Sequence, residues 1–302
     1  MTFSSPPITD SDHVGGLTHV IENAEVKEFW IHKPWEHNEN LAQEFADGRI
    51  TDESIARRMQ ENLQKAYDAV KLAEKKKIEI EEPFQGKTWD NATLVVVGPT
   101  QAYYETLIPD FARMPEKAVA TSGTESIKSA YNYFVEKAKE LVKYVADWFS
   151  DEGIDDKDTT SAQNNSSVII KLEIDGKTLL FTGDAGITAL DMAADHVTSS
   201  SLAFIQVPHH GSRRNIGPEV LNKLVGNIVS EGGTRNICAF ISCAPGSEKH
   251  PHQSVINAFT RRGVKVITTE GSNKRHSNNA PAREGWTTAA PRSYLANYNV
   301  EE

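Results

Sequence analysis

Two apolar periodicities alternate along this chain. Runs with β-strand character are short and densely apolar: Val26 to His32, Thr93 to Val97, Ser167 to Ile174, Thr178 to Thr182, Leu202 to Val207, Asn236 to Ser242 and Val264 to Thr268. Between them, apolar residues recur at helical spacing. Helices are predicted over Leu17 to Asn23, Tyr103 to Phe111, Ala185 to Ala194, Pro218 to Val225 and Gln253 to Arg262. A helical region is also expected from about Glu39 to Lys77, its second part opening at Thr51-Asp52-Glu53, an N-cap followed by an acidic first turn. Ile55, Met59, Ala66, Val70 and Ala73 form its stripe, and Lys75-Lys76-Lys77 suits its C-terminus. Asp175-Gly176 between two strand runs is a hairpin signal.

One stripe stands apart. Ile127, Tyr131, Phe134, Ala138, Leu141, Val145 and Trp148 follow a 4-3-4-3-4-3 spacing, heptad-like, on a long helix over 126–149. Packing against the rest of the same chain is its first reading. A homodimer or another partner helix is its second. Asp151 to Gln163 is acidic and loop-like, and the segment from Glu270 onward is polar, with Trp286 and Tyr294 as expected anchors. Strands alternating with helices imply a layered α/β architecture. The expectation is one domain over 1–302, with helical insertions at about 39–80 and 115–162 and a polar tail at about 271–302.

At 302 residues, 38% hydrophobic and 25% charged, the chain has the material for a sizeable core. A net charge of −10 argues against a general nucleic-acid-binding surface, though not against local neutralisation of phosphate. Cys238 and Cys243 sit at odd spacing in one strand-like run, so they face apart and are expected as unpaired thiols. Met1 to Ile8 lacks a basic start and a long apolar run, and no stretch approaches the roughly 18 apolar residues of a membrane span. The expectation is a cytoplasmic protein without a membrane partner. Neither a Gly-rich phosphate loop nor a Ser-His-Asp signature is present.

The chemistry gathers in four short motifs. Asp10-Ser11-Asp12-His13-Val14-Gly15-Gly16 sets two carboxylates and an imidazole in one tight segment. Gly183-Asp184-Ala185-Gly186, Pro208-His209-His210-Gly211-Ser212 and His250-Pro251-His252 come later, each after a strand-like run. Divalent cations are held by anionic oxygens and neutral imidazoles on rigid backbone, and oxygen and imidazole donors on strand ends are what a hydrolytic two-metal centre needs. Asp184, between glycines, is placed to bridge two ions. Arg213-Arg214 offers a grip on phosphate.

In this order the motifs, together with Asn164-Asn165-Ser166-Ser167-Val168, resemble the metallo-β-lactamase superfamily, in the branch that includes the metallo-hydrolase domain of ComEC-type DNA-uptake proteins. The resemblance covers about residues 8–32 and 163–270. It implies a four-layered αβ/βα sandwich, N-terminally incomplete, with one or two divalent ions, zinc or manganese, at one edge between the sheets. It implies Asp10, Asp12, His13, Asp184 and His209 as metal ligands, with Asp184 bridging. Asp12, Asp184 and His250 would be catalytic, Asp12 as a proton acceptor and His250 as a ligand or a donor to the oxyanion. His210, Ser212, Arg213 and His252 would face substrate, and Asn164 or Asn165 stands where other branches carry a histidine ligand. The family motif opens with a histidine where this chain has Ile8, and the family carries strands before it where this chain has Met1 to Pro7, so the chain is expected to be a fragment or a diverged member.

The expected activity is hydrolysis by a metal-activated water, on phosphodiester bonds of a nucleic acid or a small nucleotide. Hydrolysis of another ester or lactone, or a degenerate binding or regulatory role, are the alternatives.

Overall fold

The computed structural model describes residues 2–4, 11–118 and 152–295, with side chains from His13 onward. The chain is a mixed α/β protein whose contacts sort it into two compact units. The first comprises Met1–Gln85, Pro99–Phe149 and Ser161–Ser166; the second comprises Gly86–Gly98, Ser150–Thr160 and Ser167–Glu302. The expected helix over 126–149 lies outside the described residues.

In the first unit, β1 (Thr2–Ser4), β2 (Val26–Trp30) and β3 (Glu79–Glu81) form a parallel sheet in the order β1-β2-β3. The helices are α1 (Ser11–Val14), α2 (Leu17–Asn23), α3 (Asp52–Asn62), α4 (Gln64–Lys75), α5 (Gln101–Leu107) and α6 (Ala162–Asn165). The predicted N-cap at Thr51 is there: Thr51 Oγ1 accepts the Ser54 N–H and Ser54 Oγ accepts the Thr51 N–H, closing a capping box. The helical region expected from Glu39 is interrupted. Leu41–Glu44 is a short 3-10 turn, and the chain leaves helical geometry at Leu63, splitting α3 from α4. The split lets Ile55 and Met59 on α3 and Ala66, Val70 and Ala73 on α4 all reach one core, with Ile21, Phe29, Tyr104 and Ile108. Strand β3, which the pattern does not predict, has one apolar residue between two carboxylates; its partner strand β2 supplies the buried Phe29 and Trp30.

The second unit is built on a seven-stranded sheet in the order β10-β9-β8-β7-β6-β5-β4. Its strands are β4 (Thr88–Trp89), β5 (Leu94–Gly98), β6 (Ile169–Ile174), β7 (Lys177–Phe181), β8 (Leu202–Gln206), β9 (Cys238–Ile241) and β10 (Lys265–Thr268). Strands β7 to β10 run parallel and β4 to β7 antiparallel. The predicted hairpin joins β6 to β7, with Asp175 at φ 49° and Gly176 at φ 68°, the left-handed pair a tight two-residue turn requires. Helices α7 (Ile187–Ala194), α8 (Pro218–Val225) and α9 (Gln253–Arg261) close the parallel crossovers, burying Leu190, Leu221, Leu224, Val255, Ile256 and Phe259.

A buried ion pair sits among these helices. Arg262 Nη1 donates to both Glu152 oxygens at 3.1 Å, and its Nε to Asn222 Oδ1 at 3.0 Å. The described part of the tail, up to Leu295, lacks helix and strand. Tyr294 anchors it beneath Arg261, and the Arg292 N–H donates to the Val266 carbonyl on edge strand β10. Trp286 stacks with Arg283 of the same tail, so this contact does not tie the tail to the body of the unit. Both cysteines are unpaired, as their spacing requires. Among the described residues, no helix is long and apolar enough to cross a membrane.

Candidate metal centre

In the second unit, β7, β8 and β9 are parallel neighbours, so their carboxyl ends share one edge of the sheet. That edge is where open α/β sheets bind ligands. The loop after β7 carries Asp184, the loop after β8 carries His209 and His210, and the loop after β9 carries His250 and His252. Backbone bonds knit the three loops together. The His209 N–H donates to the Gly183 carbonyl at 3.2 Å, and the His252 N–H to the Gly211 carbonyl at 3.0 Å. His209, His210 and Gly211 are all left-handed, at φ 45°, 56° and 81°. Two consecutive non-glycine residues there carry strain of the kind that collects at functional sites. Gly211 has no room for a side chain: a Cβ would stand 2.9 Å from Pro251 Cβ.

The three imidazoles cluster, with ring centroids 6.0 Å apart for His209 and His210, 5.9 Å for His209 and His250, and 6.5 Å for His210 and His250. His210 Nδ1 lies 2.7 Å from the Ser242 carbonyl, which only accepts, so Nδ1 carries the proton. His250 Nδ1 is shielded from solvent and has no hydrogen-bond partner among the described residues. Burial, then the neighbouring His209 and His210 rings, hold the His250 imidazole below its ordinary range and so keep it neutral. Asp184 is buried, and its N–H donates to Ser167 Oγ at 3.1 Å.

The predicted substrate-facing residues of this unit have structural partners. His252 is the N-cap of α9, its Nδ1 accepting from the Ser254 N–H and hydroxyl. Ser212 is buried and its hydroxyl accepts the Arg214 N–H. Arg213 is half-buried and Arg214 exposed.

The remaining predicted ligands belong to the first unit. Asp10 lies outside the described residues. Asp12 and His13 fall in α1, and Gly15-Gly16 make the turn into α2, as the glycine pair suggested. Asn164 and Asn165 are buried at the end of α6.

A divalent ion suits the chemistry of Asp184, His209, His210 and His250: a carboxylate and imidazoles on short, anchored loops. Among the described residues, no group of three or more His, Cys, Asp or Glu side chains is arranged to hold a metal ion.

Three residues that hold this edge were not anticipated. Asn215 is fully buried and bonds both to His209 and to the backbone after Asp184; Thr160 and Ser167 bond in turn to Asn215 and Asp184.

No family model matches the chain. Over 111 residues it is 25% identical to ComE operon protein 3 of Bacillus subtilis (strain 168). That stretch is 36% of this chain and 13% of the relative, so the chain matches only a small part of that protein's length.

Proposed function

We propose that this chain is a metal-dependent hydrolase of the metallo-β-lactamase type, a four-layered sandwich acting on phosphodiester bonds. The observation that carries the proposal is the meeting of the Asp184, His209-His210 and His250 loops at the carboxyl ends of three adjacent parallel strands. The order of its motifs and the partial match to ComE operon protein 3 support the same reading. Asp10, Asp12 and His13 enter it as ligands on the strength of the sequence motif alone.

Asp184 and His209, with Asp10, Asp12 and His13 of the first motif, would hold a zinc or manganese ion, which would supply Lewis-acid activation of water at neutral pH. The chain's own residues do the rest. The Asp184 carboxylate is anchored through its backbone and serves as an anionic donor. His250, at the mouth of the same loops, is suited to donate a hydrogen bond to a charged substrate oxygen. Arg213 and Arg214 follow the histidine loop and supply the positive charge a phosphodiester requires in a chain of net charge −10.

The incomplete donor set among the described residues favours a second reading, a binding protein that has lost catalysis. Metal analysis of the purified protein, with assays on bis(p-nitrophenyl) phosphate and a lactone in zinc or manganese, separates the readings. The proposal expects at least about one ion per chain and phosphodiester cleavage that disappears in Asp184→Asn. Cleavage of the lactone alone moves the substrate class. Less than about one ion with no cleavage of either substrate overturns the hydrolase and leaves the binding protein.

A further inference from the structure

We propose that Asn215 is a positioning residue that locks His209 in its Nδ1-protonated tautomer and ties that ring to the Asp184 loop. The argument begins with the orientation of one buried amide. Asn215 Nδ2 lies 2.8 Å from the Asp184 carbonyl oxygen, 3.3 Å from the Ala185 carbonyl oxygen and 3.1 Å from Thr160 Oγ1. Carbonyl oxygens only accept, so the NH2 end of the amide must face them. The other end, Oδ1, therefore faces His209, whose Nδ1 stands 3.1 Å away. An amide oxygen has no proton to give, so His209 Nδ1 supplies it. In the neutral ring the lone pair then rests on Nε2.

The same amide fixes where that lone pair stands. Two of its four bonds hold the backbone of Asp184 and Ala185, one holds the ring of His209 and one reaches Thr160. The His209 N–H on the Gly183 carbonyl is a second tie between the carboxylate loop and the imidazole loop. Thr160 extends the brace to the segment before it. There, Asp158 Oδ2 accepts the Thr188 N–H at the start of α7, and Asp156 Oδ1 accepts the Glu219 N–H at the start of α8. A segment that reads as a plain acidic loop thus buttresses the site. The hydrogen bond made by one ring nitrogen decides which nitrogen remains available as a ligand or base. The catalytic consequence rests on the hydrolase reading above; the tautomer does not.

The experiment uses the whole chain with 15N-labelled histidine, and His209→Gln to assign the ring. Long-range 1H–15N spectra of the metal-free protein read the tautomer directly. Wild type is expected to show His209 protonated at Nδ1, and Asn215→Leu to populate both tautomers. Zinc affinity by calorimetry is expected to fall about 10- to 100-fold in Asn215→Leu. An Nε2–H tautomer in wild type, or an unchanged tautomer in folded Asn215→Leu, overturns the proposal. Should Asn215→Leu not fold, the wild-type spectrum alone still decides. Wild type that binds no zinc yet shows the locked tautomer removes the hydrolase reading and keeps the positioning role.

Discussion

Nε2 of His37 lies 2.9 Å from Oε2 of Glu82, while Nδ1 of the same ring lies 2.9 Å from Oε1 of Glu105. Carboxylates accept, so both nitrogens donate and His37 is an imidazolium clasp inside the first unit. Beside it, His32 is buried against the rings of Phe84 and Tyr104, which also contact each other, and lies 3.8 Å from Glu82 Oε1, beyond hydrogen-bond length.

This arrangement makes stability depend on pH from both sides. Burial lowers the His37 pKa, but Glu82 and Glu105 outweigh it and the net shift is upward. Its contribution is full below about pH 6.5, the unfolded value, and is lost as pH rises through the raised folded value. Burial pushes Glu82 up, but the neighbouring imidazoles and the Lys33 N–H bring it down to about 2. That contribution is present above its unfolded value of 4.5 and is lost as pH falls towards about 2. His32 is pushed down by burial, so it costs stability as pH falls below about 6.5. Melting temperatures from about pH 4 to 9 should peak between the His32 and His37 limbs. His37→Gln should flatten the alkaline limb, and an unchanged limb removes the clasp.

Breaking the ion pair between Glu152 and Arg262 should be severe. Arg262 is 1% exposed and Glu152 3%, so Glu152→Gln strands a guanidinium among helices. Loss of about 3–5 kcal/mol in denaturant unfolding is expected. A double replacement, Glu152→Leu with Arg262→Met, should recover part of it, because no buried charge then lacks its partner.

Tyr104→Phe should be neutral or should stabilise by about 1 kcal/mol. The Tyr104 hydroxyl is buried and has no hydrogen-bond partner among the described residues, so the substitution removes an unsatisfied polar atom and keeps the ring packed on His32. A loss beyond about 1 kcal/mol would mean that the hydroxyl is bonded in solution.

Gly211→Ala should disturb the histidine loop and the fold together. Its φ of 81° suits glycine, and an added Cβ meets Pro251 Cβ at 2.9 Å and Ile241 Cγ2 at 3.2 Å. A cost of about 1–3 kcal/mol is expected, with shifted His209, His210 and His250 ring resonances. Unchanged ring resonances would show that the loop absorbs the methyl group without moving the site.

Much of the second unit was legible because local and tertiary preferences agree there. The hairpin at Asp175-Gly176 and helix Pro218–Val225 appear where the pattern puts them. The first unit was harder. Glu79–Glu81 carries little strand signal and is held by its neighbour, and the break at Leu63 carries no glycine or proline. In the second unit Thr88–Trp89 was missed for the same reason. At the site, Asp184, His209 and His250 were visible as polar residues closing apolar strand runs. Asn215, Thr160 and Ser167 were not, since a buried amide or hydroxyl in a loop has no periodicity to betray it.

The order of residues settled what is local: strand and helix runs, the turn at Asp175-Gly176, the Thr51 cap, and which side chains bear lone pairs or charge. Such features depend on contacts within a few positions, so spacing alone reports them. The folded chain settled which loops meet, which nitrogen of His209 holds its proton, and that Glu82 lies between two imidazoles of opposite charge state. These follow from strand order and from packing between residues far apart in sequence, and no periodicity encodes a partner that lies 31 positions away, as Asp184 does from Asn215.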